Sequence, residues 1–453
     1  MKSRDFLEFM TISQNPPLRF CAEPRYNKND HAMRRLDVID TEMVRRIPKE
    51  IGLVLLEKKT ILLGVSGSIA AYKAAALASK LTQQGAAVHT LLTANGAKFV
   101  TPVTFEGVTG RKCIVDTFDR NFQYSVEHIA LATQADLVLI APATANVIAK
   151  LAHGLADDML TTTVLACRCP KMISPAMNTG MYENPITQDN LKTLRKYGWT
   201  VIDPACGRLA CGDVGAGKFP EPSVLVEHVL LALAEEKDMA GLRVLVTAGP
   251  TQEPLDPVRY LTNHSTGRMG YEMAKNAARR GAAVTLVTGP TTLEPPLGVK
   301  TIAVRTAEEM FQAVIKAAPE QDLMAFAAAV ADYRPAREAA DKIKKSAGAL
   351  GEIQLAPTHD ILQYVGEHKR PGQILCGFSM ETRDLVQNSQ KKLDKKHADL
   401  IAANNLRVPG AGFGTETNVM TLLTHAGSEE LPLLSKYETA GRIWTKMLAM
   451  RRA

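Results

Sequence analysis

The chain has no uninterrupted apolar run approaching the roughly 18 residues that a membrane-crossing helix needs, and its N-terminus lacks the apolar core of a secretory signal. A cytoplasmic protein with no membrane partner is expected. Cysteine is sparse. There are seven, an odd number without paired C-x-x-C spacing, which excludes a disulfide framework and a zinc ribbon and points to a reducing compartment. A long run of like charge is also missing. The net +7 is dispersed rather than gathered into a basic run, so a nucleic-acid partner is not expected, whereas small anionic ligands would suit the chain.

At 453 residues the chain exceeds the roughly 250 to 300 residues at which single cores stop growing, so two domains are expected. Residues 1–57 carry mixed charge, Pro16, Pro17 and little periodicity. They are expected to be a poorly ordered extension, consistent with an alternative start at Met33 or Met43. From Thr60 the pattern changes: TILLGVSG reads as a buried strand, IAAYKAAALASKLTQQG as an alanine-rich helix closed by Gly85, and AAVHTLLTA as the next strand. Further strands are expected in ADLVLIAPAT (135–144), PKMISPAMN (170–178) and GWTVIDPA (198–205). A charged stretch at 234–242 precedes RVLVTAGPT, where the same order begins again. Its helix is expected at 269–281, with later strands at AAVTLVTG, DLMAFAAAV, QILCGFS, ADLIAAN and NVMTLLT. Strands alternating with helices predict two α/β domains, 58–233 and 243–453, each a doubly wound parallel sheet, joined by a linker at 234–242.

In the first unit GVSGSIAAYK (64–73) places small residues between a strand and a helix, where backbone N–H groups and the helix dipole can hold a phosphate. The loop is not G-x-G-x-x-G and no Walker lysine follows, so alone it reads equally well as a tight turn. A second small-residue loop, APATANVIAK (141–150), ends another strand, and two such loops around one switch point suit a phosphate-bearing cofactor. Taken singly, a histidine beside a helix is most often structural, a cysteine is a small buried hydrophobe and an asparagine is a cap. Together, His128 in SVEHIALA, SPAMNTGMYENP (174–185) and LACGDVGAGK (209–218) resemble the flavin-containing cysteine decarboxylases. That resemblance implies a flavodoxin-like domain with His128, Asn178 and Cys211 as working residues, and FMN held by Gly67, Ser68, Thr93, Ala143, Thr144 and Asn146.

The implied chemistry is coherent, because loss of a carboxylate from a cysteine leaves electron density at Cα that needs a sink. A flavin supplies one by oxidising the thiol to a thioaldehyde and later returning the hydride. His128 can relay a proton near neutral pH, Asn178 can hold the substrate carboxylate without adding charge, and Cys211 can protonate the intermediate in the final reduction. Ser68 stands where VSGG variants carry glycine, and Cys206 lies five residues before Cys211.

In the second unit TAGPTQEPLDPVRYLTNHSTGRMG (247–270) closely resembles the start of the phosphopantothenate-cysteine ligase domain. AAAVADYRP (327–335), DKIKK (341–345), CGFSMET (376–382) and KKLDKKHADLIAANN (391–405) follow in the family's order. The resemblance implies activation of a carboxylate by CTP with Mg2+ or Mn2+, then attack of the cysteine amine on the acyl-cytidylate. Lys342, Lys392 and Lys396 are implied triphosphate contacts, Ala328, Asp332 and Phe378 lie near the nucleotide, and Asn263 meets the pantothenate arm. The metal ligands are not assigned. By itself the cluster Lys391, Lys392, Lys395 and Lys396 reads as a solvated helix face. Arg268 replaces the motif's lysine, and PTHD (357–360) replaces an NPD-type sequence.

The two resemblances cover nearly everything from Thr60 onward and imply a fused enzyme of coenzyme A synthesis that makes phosphopantetheine from phosphopantothenate and cysteine. Relatives lead to the expectation of a homo-oligomer through both domains. The competing expectations are a chain with one catalytic half and one regulatory half, and a non-catalytic flavin- or nucleotide-binding protein.

Overall fold

The computed structural model describes residues 54–118, 127–343, 353–381, 385–405 and 417–452. Most of the expected extension, residues 1–53, lies outside these. Its end does not: Leu56 is fully buried in the first core and its N–H bonds the Gln84 carbonyl at 2.8 Å.

The first half opens with β1 (Thr60–Val65), α1 (Ala71–Gln83) and β2 (Ala87–Leu92). Ala71, Ala74, Leu77, Ala78 and Leu81 share the buried face of α1, the spacing of three and four that lays a helix on a sheet. Then come α2 (Pro102–Thr109), α3 (Glu127–Gln134), β3 (Leu137–Ala143), α4 (Ala145–His153), α5 (Met159–Ala166) and β4 (Lys171–Pro175). Every residue of β3 is buried, as a central strand covered on both faces requires. The half closes with α6 (Thr179–Glu183), α7 (Pro185–Lys196), the short β5 (Thr200–Val201), β6 (Ala205–Arg208), β7 (Val214–Lys218) and α8 (Pro222–Leu233). The parallel sheet runs β2-β1-β3-β4-β5, the flavodoxin-like order, with its switch point between β1 and β3. Outside it, β6 and β7 form a separate antiparallel hairpin.

The second half begins with β8 (Arg243–Ala248), the small hairpin of β9 (Gln252–Pro254) and β10 (Tyr260–Thr262), and α9 (Arg268–Arg279). It continues through β11 (Ala283–Thr288), β12 (Val299–Ala303), α10 (Ala307–Ala317), β13 (Leu323–Phe326), and the paired β14 (Tyr333–Pro335) and β15 (Leu355–Pro357). Next are α11 (Ile361–His368), β16 (Ile374–Glu381), α12 (Leu385–Lys395), β17 (Leu400–Asn405), β18 (Thr417–Asn418), β19 (Met420–Thr424), β20 (Gly427–Glu430), β21 (Leu434–Ser435) and α13 (Lys436–Arg452). The main sheet runs β12-β11-β8-β13-β16-β17-β19-β20. Its first six strands are parallel in the Rossmann order, with the switch point between β8 and β13, and β19 and β20 extend it antiparallel.

The stretch at 234–242 is anchored. Met239 is fully buried in the second core, and Asp238 makes a two-pronged ion pair with Arg280 (2.8 and 2.6 Å). Across the same seam Arg279 pairs with Glu227 at 2.9 Å and stacks over Tyr437, whose hydroxyl donates to Glu235 at 2.8 Å.

Candidate active sites

At the first switch point the buried hydroxyl of Ser66 donates to the Pro142 carbonyl (2.8 Å) and accepts from the Thr144 N–H (2.9 Å), clipping the ends of β1 and β3 together. Thr144 caps α4 by accepting from the Val147 N–H, and the Thr93 hydroxyl accepts from the Gly96 N–H. Ser68 donates to the Ala176 carbonyl at 3.3 Å, which ties the first loop to the segment after β4. A Cβ on Gly67 would sit 2.6 Å from that of Asn95, so only glycine fits the crossing of these loops. The N-terminus of α1 has no side-chain cap and no acidic residue in its first turn. Its amides suit a phosphate. Gly67, Ser68, Thr93, Ala143 and Thr144 thus gather around one crevice, with Asn146 in the first turn of α4. These residues fit a flavin phosphate ester.

Asn178 heads α6, where its Oδ1 accepts from the Gly180 N–H at 2.8 Å. Its Nδ2 donates to Asp213 (2.8 Å) and to Cys211 Sγ (3.4 Å), and the Cys211 thiol donates to the same carboxylate at 3.3 Å. Two expected residues and one unexpected one, Asp213, therefore form a closed cluster. The β6–β7 hairpin brings it about: the Met177 N–H bonds the Gly217 carbonyl, and a Cβ on Gly217, at φ +125°, would lie 2.3 Å from the Met177 oxygen. His128 stands elsewhere, half-buried on α3 against α5, and is not hydrogen-bonded to this cluster.

The second switch point holds a cleft of about 250 Å³ between the loop before α9 (Ser265, Thr266, Gly267), the loop after β13 (Ala327–Val330), and Phe378, Lys392 and Lys436. Gly267 leaves the N-terminus of α9 without a side-chain cap, and a Cβ on Gly270 would meet that of Ala248 at 2.5 Å, so α9 presses directly on β8. Asn263 Nδ2 donates to the carbonyls of Ala329 and Val330 (3.3 and 3.1 Å). The Ala328 N–H bonds Thr247 Oγ1 and the Ala331 N–H bonds Thr251 Oγ1, so the small-residue loop is stitched at one end to β8 and at the other to the turn that follows it. Asp332 follows the loop in sequence and is exposed.

Of the expected lysines, Lys392 lines the cleft and donates to the Phe378 carbonyl at 2.7 Å. Lys396 falls just beyond α12 and is paired instead with Asp360, the N-cap of α11. Lys342 is exposed beside Ile343, whose N–H donates to Asp256 and whose carbonyl accepts from Arg259. The hydrogen-bonded Arg259 guanidinium, helped by the N–H groups of Val258, Arg259 and Ile343, holds the Asp256 carboxyl well below the usual carboxylate range against the opposing effect of burial.

Sequence reasoning missed Asp213, the Asp256–Arg259 anchor, the nearly buried Lys436, and Asn404 and Asn418. The last two line the cleft, each more than nine-tenths buried with a side-chain oxygen that no group among the described residues satisfies. Unfilled buried acceptors beside cations fit a ligand bearing both N–H donors and negative charge.

Two family models match the chain: Flavoprotein over residues 53–233, and the DNA/pantothenate metabolism flavoprotein C-terminal domain over 239–450. The coenzyme A biosynthesis bifunctional protein CoaBC of Bacillus subtilis (strain 168) is 44% identical over 400 residues, 87% of this chain and 98% of that protein. The chain belongs to the CoaBC family. It is a bifunctional decarboxylase and ligase of coenzyme A biosynthesis. Among solved structures, the C-terminal domain of a CoaBC is 41% identical, covering 47% of this chain and 96% of that one with a TM-score of 0.41. A cysteine-to-serine mutant of a PPC decarboxylase, complexed with pantothenoylaminoethenethiol, is 34% identical, covering 39% and 98% with a TM-score of 0.35.

Proposed function

We propose that the second half condenses phosphopantothenate with cysteine at the expense of CTP, and that the first half, carrying FMN, decarboxylates the product to phosphopantetheine. In this reading residues 58–233, with the preceding turn from Val54, form the decarboxylase domain, and 243–453 form the ligase domain.

The observation that carries the decarboxylase assignment is the Asn178–Cys211–Asp213 cluster under the hairpin. Bound FMN would take up the electrons of thiol oxidation and return them after carbon dioxide leaves. Asn178 orients the substrate carboxylate by donating from Nδ2, a neutral donor that adds no competing charge. Asp213 accepts from that donor in the structure, so a substrate carboxylate replaces one carboxylate by another at the same amide. Cys211, kept as a donor toward Asp213, protonates the carbon skeleton in the last step. His128, on a different element from the cluster, is assigned the earlier proton acceptance.

For the ligase, three cationic side chains at the cleft, Arg268, Lys392 and Lys436, and the uncapped α9 N-terminus suit a triphosphate. Lys342, exposed on the anchored 341–343 segment, is assigned to the same triphosphate. The unfilled carboxamide oxygens of Asn404 and Asn418 suit the amino group of a cytosine. Mg2+ riding on the phosphates needs only one or two protein carboxylates, and Asp332 is the candidate. Asn263 holds the loop against which the pantothenate arm would lie.

The test is Cys211→Ser supplied with phosphopantothenoylcysteine. Carbon dioxide should be released while the product still lacks its final pair of hydrogens and the flavin stays bleached. Fully reduced phosphopantetheine at the wild-type rate would remove Cys211 from the reaction.

A further inference from the structure

The turn between α5 and β4 carries two free thiols with one residue between them, away from the Asn178 cluster. Cys167 is the C-cap of α5, buried, with its thiol donating to the Thr163 carbonyl at 3.2 Å. Cys169 is partly exposed. Lys171 folds back over the turn and donates to the carbonyls of both residues, at 2.6 Å to Cys167 and 3.4 Å to Cys169, which fixes an ammonium beside the pair.

We propose that Cys167 and Cys169 are an oxidative modification site, a reactive thiol and its resolving partner, which a hydroperoxide converts to an intramolecular disulfide. The surroundings divide the labour. Cys169 is partly exposed with the Lys171 ammonium held beside it, surroundings that favour its thiolate, whereas Cys167 is buried with its thiol proton directed to the Thr163 carbonyl. Cys169 is therefore the nucleophile. Burial instead raises Cys113 to about 12, and it raises Cys376 too, so those thiols stay inert.

The step balances. The Cys169 thiolate attacks the peroxide: an S–O bond forms, the O–O bond breaks, and the departing hydroxide takes up a proton to leave as water. Cys167 sulfur then attacks the sulfenic sulfur, the S–S bond forms, the S–O bond breaks, and the Cys167 proton leaves with the second water. Two thiols lose two electrons to one hydroperoxide.

Arg168 lies between the two cysteines, which gives a direct test. The folded full-length protein is treated with limiting hydrogen peroxide, alkylated, and digested with trypsin without reductant. Peptide 151–168 should then remain joined to peptide 169–171, and reduction should release both. Cys167→Ser should stop at a sulfenic acid on Cys169 that dimedone traps, and Cys169→Ser should slow oxidation at position 167 at least about tenfold. Recovery of 169–171 alkylated in equal yield with and without peroxide, or joined to Cys206 or Cys211 instead, would overturn the proposal.

Discussion

Asp213 accepts from both Asn178 and Cys211, so its replacement by asparagine keeps the shape of the cluster and removes the charge that fixes the thiol's proton. Asp213→Asn should cut decarboxylation by about a hundredfold in kcat, the lower end of what a positioned proton donor contributes, while amide synthesis on the same chain is unchanged. Equal loss of both activities would mean misfolding instead. Asp256 yields a pH signature in the other half. Its carboxyl is depressed in the folded state, so the stabilisation is fully present above the unfolded value of about 3.9 and is lost as the pH falls through the folded one. Thermal melts should therefore show Asp256→Asn below wild type at neutral pH, with the gap shrinking steadily below about pH 4. A gap independent of pH would count against the charged anchor. Residue-level reading of the sequence names Asn178, Cys211, Phe378 and Lys392, and the fold brings the first two into one hydrogen-bonded cluster and the last two to one cleft. It passes over Asp213, since a carboxylate beside an expected substrate carboxylate reads as repulsion until the hairpin folds it onto an amide donor. Spacing alone groups Lys396 with Lys392, but α12 ends at Lys395 and the side chain turns to Asp360.

The β6–β7 hairpin is the element that assembles the first site, and Gly217 is where it touches the PAMN segment. Gly217→Ala would drive a methyl onto the Met177 carbonyl, whereas Gly212→Ala shares the strain of a positive φ, +95°, but has no atom within 4 Å. Decarboxylase activity should therefore fall at least about tenfold further in Gly217→Ala than in Gly212→Ala, because a displacement near 1 Å is enough to spoil a site. Equal effects would assign the glycines to backbone freedom alone. The strands of both main sheets are legible as apolar runs followed by small-residue breaks, since central strands bury both faces. This hairpin is not, because its short glycine-rich strands, ACGR and VGAGK, carry no apolar run. The antiparallel β19–β20 end is equally hidden: β20 is exposed throughout, and pairing rather than burial defines it.

At the scale of the molecule, the repeated strand-helix order discloses two doubly wound units, whereas the seam between them is invisible in the sequence. It is built from pairs distant along the chain: Glu227 with Arg279, Asp238 with Arg280, and Glu235 with Tyr437. The stretch expected as a linker is thereby held, Met239 buried at its centre. Both candidate sites sit at the switch points of their sheets, the first between β1 and β3 and the second between β8 and β13. The central claim is that one chain performs both steps. The direct measurement is mass spectrometry of a reaction containing the purified full-length protein, phosphopantothenate, cysteine, CTP and Mg2+. Phosphopantetheine should form together with cytidine monophosphate, pyrophosphate and carbon dioxide, after transient phosphopantothenoylcysteine. Accumulation of phosphopantothenoylcysteine without decarboxylation, or no condensation at all while supplied phosphopantothenoylcysteine is still decarboxylated, would contradict it.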